Sequence, residues 1–375
     1  MKTKRKIKLI EVIGDSALGG GPKHILGLLS GINRESFECT LICPEGYLND
    51  EARKLTRLDI KNLEFKSKYD LISAYALHRL IDKIRAESKD PFGPVIIHLH
   101  GPRAGFLGRI LKVHGAKYIY TEHIFDYGYR IRNPINHYLQ KMLLSRLNQK
   151  TDLIIAVSNS VKEYLVENKM ADPERTTVIP NGIEKLISDK AKTEANQKPV
   201  IGAIGQLNER KGFRYLVEAM PAILEKIPSV KLEIIGEGGD RKRLESIIRK
   251  LKLEGQVKLL GRKTEADKYL KEWDLLIVPS LNEPFGIVAL EGLSAGIPVI
   301  ASSVGGLKDI IENNESGELI KPADTKALAE AIVSVLNDKR KYEKYAKNGL
   351  KRANEFLWSD ISREYEPVFT NLIGK

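Results

Sequence analysis

Two short apolar runs, separated by a polar loop and a helix-compatible stretch, constrain the fold of this chain most strongly. The runs cover residues 274–280 and 298–302, and residues 285–295 lie between them. Apolar runs of this length predict buried strands, so the segment is predicted to be strand, loop, helix and strand. In open parallel sheets, ligands bind at the carboxyl edge of the strands. The loop at residues 281–284 is therefore a candidate binding site.

Two carboxylates belong to this segment. Glu283 lies in the loop and Glu291 lies in the predicted helix, on roughly the same side. Carboxylates placed in this way can bind the hydroxyl groups of a sugar or a ribose through charge-assisted hydrogen bonds. From the pair alone, a surface loop and helix with two solvated glutamates is an equally good interpretation.

The residues around the two glutamates carry a family resemblance. The pattern E-P-F-G-x4-E-G-x2-A-G-x-P-V resembles the donor-binding signature of retaining glycosyltransferases of family 4, which have the GT-B fold. The resemblance implies that Glu283 holds sugar hydroxyls and Glu291 holds the ribose of a nucleotide sugar. It also implies that the backbone of Phe285, Gly286 and Ile287 lies beside the donor.

Further donor contacts follow from the same resemblance. Residues 205–213 follow a predicted strand and resemble the family pattern G-R-L-x3-K-G, in which Lys211 matches the lysine that neutralises the donor diphosphate. Gln206 replaces the arginine of that pattern, and the adjacent Arg210 is a candidate to compensate. The other donor-binding residues implied in this half are Gly205, Gly236 and Arg262.

A glycine-rich loop follows the first predicted strand, residues 7–13. Glycines between a strand and a helix let backbone amides approach a phosphate, although a tight turn explains them equally well. The resemblance implies that Gly20 and Gly21 lie near the donor diphosphate.

Histidines end two further predicted strands of the first half. Alternation places His98 and His100 on one face of a strand within residues 94–103, and the strand at residues 117–121 is followed by Glu122 and His123. A lone histidine is more often structural, but two such strand ends are more informative than one. The resemblance implies that His100 faces the reaction centre. The acceptor side is assigned to His123, Arg103 and Tyr127.

Strands and helices alternate along the whole chain, including a predicted strand at 37–43 and predicted helices at 48–58 and 71–86. This alternation predicts an α/β protein with two doubly wound, Rossmann-like domains. The GT-B resemblance implies that they face a central cleft. We predict an acceptor-binding domain at 1–182, a linker at 183–198 and a nucleotide-sugar-binding domain at 199–355. Residues 356–375 are expected to form a helix that crosses back to the first domain.

The net charge and its distribution limit the kinds of partner that the chain is expected to bind. The net charge is +12, with 29 − 20 = +9 in residues 1–180 and 32 − 29 = +3 in residues 181–375. The basic first half favours an anionic acceptor or membrane face, or simply solubility. No nucleic-acid-binding motif accompanies the charge. Lys8 and Glu11 interrupt the first apolar segment, which argues against a signal peptide. We expect a cytoplasmic protein, with peripheral binding to the inner membrane face as an option.

Metal and disulfide chemistry are not expected. Cys39 and Cys43 are four residues apart on one strand face, with Cβ atoms too distant for a disulfide. There is no D-x-D triplet and no recognisable metal-ligand spacing. Lys211, loop amides and helix N-termini would neutralise the leaving diphosphate.

The resemblance therefore implies a retaining hexosyltransferase, and we expect it to need neither a metal ion nor a cofactor. It would move sugar from a nucleotide donor to a glycan, lipid-linked or small-molecule acceptor, with His100, Glu283 and Lys211 as catalytic residues. A sugar-nucleotide epimerase would lack the Glu-x7-Glu pattern, and a glycan phosphorylase or synthase would be longer. A non-catalytic nucleotide- or membrane-binding subunit of the same fold is the remaining alternative, because Gln206 weakens the diphosphate site.

Overall fold

The computed structural model describes residues 5–67, 70–88, 90–123, 134–188 and 190–374. The chain divides into two units, one formed by Met1–Gly182 with Trp358–Lys375 and the other by Ile183–Leu357. Each unit is built on one parallel sheet.

The first unit contains a seven-stranded sheet in the order β3-β2-β1-β4-β5-β6-β7, with every described pair parallel. Its central strands are mostly apolar and buried on both faces, as expected of parallel strands covered by helices, with Glu11, His98 and His100 among the buried polar exceptions. The strands are β1 Ile7–Ile13, β2 Phe37–Cys43, β3 Leu58–Asn62, β4 Val95–His100, β5 Ala116–Glu122, β6 Leu153–Ala156 and β7 Thr176–Val178.

Helices cover both faces of this sheet. Side-chain caps fix several of their starts: Asp70 accepts a hydrogen bond from the Ser73 amide at 3.2 Å, and Ser158 accepts one from the Val161 amide at 3.2 Å. The helices are α1 Gly20–Gly31, α2 Tyr47–Ala52, α3 Leu71–Ala86, α4 Gly101–Ile110, α5 Pro134–Gln149, α6 Asn159–Glu167 and α14 Trp358–Gly374.

The last helix, α14, packs against α1. A Cβ on Gly27 would lie 2.0 Å from Nε1 of Trp358, and one on Gly31 would lie 2.2 Å from Oγ of Ser362. Two glycines one turn apart therefore allow the helices to approach closely. Trp358, Tyr365 and Phe369 are buried in the same apolar core as the strands of this unit.

The second unit repeats the arrangement with six parallel strands in the order β10-β9-β8-β11-β12-β13. Its strands are β8 Val200–Ile204, β9 Lys231–Ile235, β10 Val257–Gly261, β11 Leu275–Val278, β12 Val299–Ser302 and β13 Glu318–Ile320. Its helices are α7 Phe213–Lys226, α8 Arg241–Lys250, α9 Ala266–Glu272, α10 Ile287–Ser294, α11 Leu307–Ile310, α12 Thr325–Asn337 and α13 Lys339–Asn354.

A buried carboxylate attaches the segment before β8 to this unit. Asp274 is fully buried and accepts hydrogen bonds from the backbone amides of Asn196 at 3.1 Å and Val200 at 2.8 Å, and from the Asn196 side chain at 2.7 Å. Residues 196–200 are thus fixed to the start of β11.

One of the predicted elements was wrong in its bounds. The helix predicted at 48–58 ends at Ala52, and the edge strand β3 begins at Leu58. The strand predicted within 94–103 ends in histidine as expected, since β4 ends at His100 and α4 begins at Gly101. Cys39 and Cys43 are buried free thiols. None of the described helices is both long and apolar enough to span a membrane.

Candidate active site

Each sheet has a topological switch point, where the strand order reverses. In the second unit it lies between β8 and β11, which are adjacent in the sheet although three strands apart in sequence order. Loops that leave the carboxyl ends of such strands diverge and leave a crevice in which ligands bind. The loop after β8 carries Lys211, and the loop after β11 carries Glu283.

These two residues form an ion pair across the switch point. Nζ of Lys211 lies 2.5 Å from Oε2 of Glu283, and the Ser280 hydroxyl donates to the same oxygen at 2.9 Å. The Lys211 side chain is 14% exposed and that of Glu283 is 9% exposed. The pair is therefore largely desolvated, but the ammonium keeps some access to solvent.

The electrostatics keep Glu283 ionised. Burial raises the pKa of its carboxyl, but the charges of Lys211 and Arg210 and hydrogen bonds from Lys211 and Ser280 outweigh this effect. The pKa of Glu283 is consequently below its ordinary value. Arg210 thus acts electrostatically on Glu283, and its role as a replacement for the family arginine at Gln206 stays a prediction. Gln206 itself is exposed and accepts a hydrogen bond from the Asn208 side chain at 3.1 Å.

Local backbone geometry fixes both members of the pair. Glu209–Lys211 form a single 3-10 turn that is capped by the Asn208 side chain, which accepts from the Lys211 amide at 3.2 Å. The Glu283 carbonyl accepts from the Gly306 amide at 3.0 Å. Gly305 has φ +51°, and a Cβ there would lie 1.9 Å from the Glu283 carbonyl oxygen. Only glycine allows this turn to approach Glu283.

Polar groups available to a ligand surround the pair. Gly286, with φ +113°, precedes α10, and no side chain in the described residues caps the first amides of this helix. Such amides can bind an anion. Oδ1 of Asn282 is buried without a hydrogen-bond partner in the described part of the chain. Ile287 and Glu291 lie in the first and second turns of α10 and are half-buried, whereas Phe285 is buried.

The remaining donor-side residues lie at strand ends of the same sheet. Gly205 follows β8, Gly236 follows β9, and Arg262 follows β10 with its side chain exposed. The amide of Gly205 donates to Ile235 at 3.0 Å, and that of Gly236 donates to Gly261 at 2.9 Å. These bonds connect the three loops at one edge.

The switch point of the first sheet lies between β1 and β4 and carries a different chemistry. Glu11 on β1 is paired in register with His98 on β4, and Ile13 is paired with His100. Oε1 of Glu11 lies 3.1 Å from Nδ1 of His98, and Oε2 lies 2.6 Å from Nε2 of His100. All three side chains are fully buried. The predicted placement of both histidines on one face is correct.

Two further histidines complete this cluster. Nδ1 of His100 lies 3.2 Å from Nε2 of His123, which follows β5. His24 on α1 lies 5.2 Å from His100 and 4.7 Å from His123, measured between ring centroids. Nδ1 of His24 is 2.6 Å from Oδ1 of Asn181.

Three imidazoles of the cluster, those of His24, His100 and His123, are neutral at physiological pH. Burial and the neighbouring histidines lower the pKa of His24 to about 3 and that of His123 well below its ordinary value. The pKa of His100 falls to about 4, mainly because of burial. Burial raises the pKa of Glu11, but the two histidines beside it outweigh burial and leave the pKa below its ordinary value.

The other residues proposed for the first domain surround the same switch point. Gly20 and Gly21 begin α1, whose first amides are not capped by a described side chain. Arg103 lies in the first turn of α4 and donates from Nη1 to the Gly14 carbonyl at 3.0 Å. Tyr127 lies outside the described residues.

Sequence reasoning did not identify Glu11, His24, Asn181 or Ser280 as site residues. Glu11 was interpreted only as an interruption of an apolar segment. A carboxylate in a strand that is buried on both faces requires polar partners, and the two histidines of β4 were available. That requirement was the signal in the sequence that could have found Glu11.

Comparisons with known proteins agree with this geometry. The family model "Glycosyl transferases group 1" matches residues 183–352, and the model "Glycosyltransferase Family 4" matches residues 18–185. Anabaena Alr3699/HepE, solved in complex with UDP and glucose, superimposes with a TM-score of 0.80 at 20% identity, over 97% of this chain and 99% of that chain. The predicted fold class is confirmed: the protein is an α/β protein with the GT-B fold and two Rossmann-like domains.

The two models together cover both units, and the chain belongs to the group 1, family 4 glycosyltransferases. The uncharacterized glycosyltransferase MJ1607 of Methanocaldococcus jannaschii is 28% identical over 94% of each chain. The UDP-Gal:alpha-D-GlcNAc-diphosphoundecaprenol alpha-1,3-galactosyltransferase of Escherichia coli is 28% identical over 90% of each chain.

Proposed function

We propose that the protein is a retaining glycosyltransferase that moves a hexose from a nucleoside diphosphate sugar to a glycan, lipid-linked or small-molecule acceptor. The observation that carries the proposal is the desolvated Lys211–Glu283 pair at the switch point of the second sheet. The names of the relatives support an acceptor in polysaccharide or lipid-linked glycan synthesis, since one acts on a diphosphoundecaprenol-linked sugar.

The donor would be held by complementary charges. The Lys211 ammonium, with Arg210 beside it, would bind the diphosphate and stabilise the charge that develops as it leaves. Glu283 would accept hydrogen bonds from sugar hydroxyls, and the buried, unpartnered Oδ1 of Asn282 is a second acceptor for such a group. Glu291 would bind the ribose. These groups supply the positive charge and the acceptors without a metal ion at the diphosphate.

His100 would lie beside the transferred sugar. Its Nε2 faces the Glu11 carboxylate at 2.6 Å, which holds the ring in one orientation. Nδ1, which lies 3.2 Å from Nε2 of His123, would exchange that contact for a hydrogen bond from a substrate hydroxyl. Same-face attack by the acceptor, assisted by the leaving phosphate, would retain the anomeric configuration. No covalent nucleophile is assigned.

Binding to an anionic membrane face is also part of the proposal. It is supported by the charge excess of the first half and by three exposed apolar side chains on α5, namely Tyr138, Leu139 and Leu143. We expect co-sedimentation with anionic but not neutral vesicles, with binding that falls as salt rises. Salt-independent binding, or equal binding to both kinds of vesicle, would refute this part.

Turnover of a panel of UDP-, GDP- and ADP-sugars tests the enzyme assignment. The wild-type chain should consume one of them, and proton NMR of the product should show the anomeric configuration of the donor. Glu283→Gln and His100→Ala should each lower kcat/KM by about 100-fold or more. Glu225→Gln, an exposed carboxylate of the same unit, should leave turnover unchanged. Tight nucleotide binding without turnover by the wild-type chain would favour the non-catalytic subunit instead.

A further inference from the structure

Four of the seven histidines of the chain are gathered around one buried carboxylate in the first unit. The proposed transfer reaction uses only His100 of this cluster. The hydrogen bonds of the cluster determine which ring nitrogens carry protons, and those assignments have a consequence for ion binding.

Second partners fix the protonation of two rings. Oδ1 of Asn181 can only accept, so Nδ1 of His24 is the donor and Nε2 bears a lone pair. Nε2 of His24 is buried and has no hydrogen-bond partner among the described residues. The Glu11 carboxylate also only accepts, so Nε2 of His100 is the donor and Nδ1 bears a lone pair.

Three of the rings each bring one nitrogen to the same place, and Nε2 of His123, which donates to Nδ1 of His100, would lose that proton when an ion binds. One ring nitrogen from each of His24, His100 and His123 lies within 4.8 Å of the other two. Nδ1 of His100 and Nε2 of His123 are 3.2 Å apart. In a tetrahedral zinc site with Zn–N bonds of about 2.0–2.1 Å, two ligand nitrogens are separated by roughly 3.4 Å. This pair of nitrogens already has nearly that separation.

We propose that His24, His100 and His123 bind one Zn²⁺ ion. Neutral imidazole is a preferred ligand of this ion, and three histidines leave a fourth position open for water or another small ligand. Glu11 behind His100 and Asn181 behind His24 provide the hydrogen bonds that commonly orient ligating histidines.

Charge balance supports the same site. Among the described residues, the ion-pair partners of the buried Glu11 are His98 and His100, so the carboxylate has no lysine or arginine beside it in these pairs. A divalent cation on the other side of His100 would compensate the buried negative charge. His123 is only half-buried and gives the ion a route to the cluster.

The neighbouring set of Glu11, His98 and His100 is a poorer site. Its facing atoms are already bonded to each other, and Nε2 of His98 lies 2.7 Å from the Thr121 hydroxyl. The hydrogen-bonding groups of this set already have partners without an ion, so the set orients His100 instead of binding a metal.

The binding site does not depend on the proposed function. One consequence of the site rests on the proposed function. An ion bound to Nδ1 of His100 would occupy the lone pair that we assign to the reaction, so Zn²⁺ would inhibit transfer. Loss of ion binding and loss of transferase activity are measured separately, and either can fail alone.

Co²⁺ binding to the full chain tests the site, because four-coordinate Co²⁺ absorbs strongly in the visible range. The wild-type chain should bind one Co²⁺ with this spectrum and release it when Zn²⁺ is added. His24→Gln and His123→Gln should abolish the spectrum, and Glu11→Gln should weaken affinity by about 10- to 100-fold. His114→Gln, an exposed histidine of the same unit, should bind as wild type. Absence of the spectrum in wild type, or its persistence in the cluster variants, would overturn the proposal.

A second measurement needs no variant. Wild-type crystals soaked in Zn²⁺ should show one anomalous scattering peak in contact with the three imidazoles. A peak elsewhere in the first unit, or none, would overturn the proposal even if the cluster variants failed to fold.

Discussion

The Lys211–Glu283 pair can be tested by a double-mutant cycle with Lys211→Met and Glu283→Gln. Two unit charges about 4 Å apart attract by about 4 kcal/mol at an effective dielectric constant of about 20, and much of this is offset by desolvation. Removal of one partner from a buried pair typically costs about 3–5 kcal/mol. The 2.5 Å contact and low exposure place this pair in that class.

The expected costs differ for the two partners. Lys211→Met should lower the free energy of unfolding of the second unit by about 3 kcal/mol, the lower end of the range because Arg210 also acts on Glu283. Glu283→Gln should cost about 2 kcal/mol, since the partly exposed ammonium can reach solvent. The double variant should lose about 3 kcal/mol, which corresponds to a coupling of about 2 kcal/mol.

Intrinsic fluorescence can report on the second unit alone. The chain has two tryptophans, and Trp273 is buried in the second unit whereas Trp358 belongs to the first. Urea unfolding in a Trp358→Phe background therefore follows Trp273. Lys226→Met and Glu225→Gln, both exposed on the surface of this unit, should each change the free energy of unfolding by less than about 0.5 kcal/mol.

The coupling should also depend on pH. The pKa of Glu283 is lowered in the native state from the ordinary 4.5, so its stabilisation is complete above that value and is lost as pH falls through the native pKa. Single variants that each cost under about 0.5 kcal/mol, or that add without coupling at neutral pH, would refute the account of this pair.

Three further outcomes are expected. Gly305→Ala should lower turnover by about 100-fold, because a Cβ 1.9 Å from the Glu283 carbonyl oxygen must displace that residue. Gly239→Ala is the control, since nothing lies within 4 Å of a Cβ at that position. Equal activity of the two variants would contradict the reasoning. Gly27→Ala should destabilise the first unit by about 1–3 kcal/mol in thermal melts, since the added methyl overlaps Trp358; an unchanged melting temperature would show that the helices can separate freely. The thiols of Cys39 and Cys43 should react with a disulfide reagent only after denaturation, because both are buried and burial raises the pKa of Cys39 to about 12. Rapid reaction of the native protein would contradict the burial of these side chains.

The pattern of apolar residues predicted most of the fold, because parallel strands buried on both faces are mostly apolar runs. It failed at β3, whose residues alternate between half-buried Leu58 or Ile60 and charged neighbours at the sheet edge. An edge strand of five residues has too little apolar sequence to be distinguished from the end of a helix.

The two sites differed in what the sequence could reveal. Glu283 and Glu291 lie within one short motif, so both could be named as candidate site residues from the sequence. Glu11, His24 and Asn181 are joined to the histidines of β4 and β5 only by the register of the sheet and by α1. The members of such a cluster are far apart in the sequence, so no sequence motif could have predicted it.

Calorimetric binding of a nucleoside diphosphate and of its sugar nucleotide tests the central claim most directly. If the second unit holds the donor as proposed, Lys211→Met should weaken both ligands, because both carry the diphosphate. Glu283→Gln should weaken only the sugar nucleotide, by about 10-fold or more, since Glu283 is assigned to the sugar hydroxyls. Equal weakening of both ligands by Glu283→Gln, or no effect of either substitution, would contradict the assignment of this site.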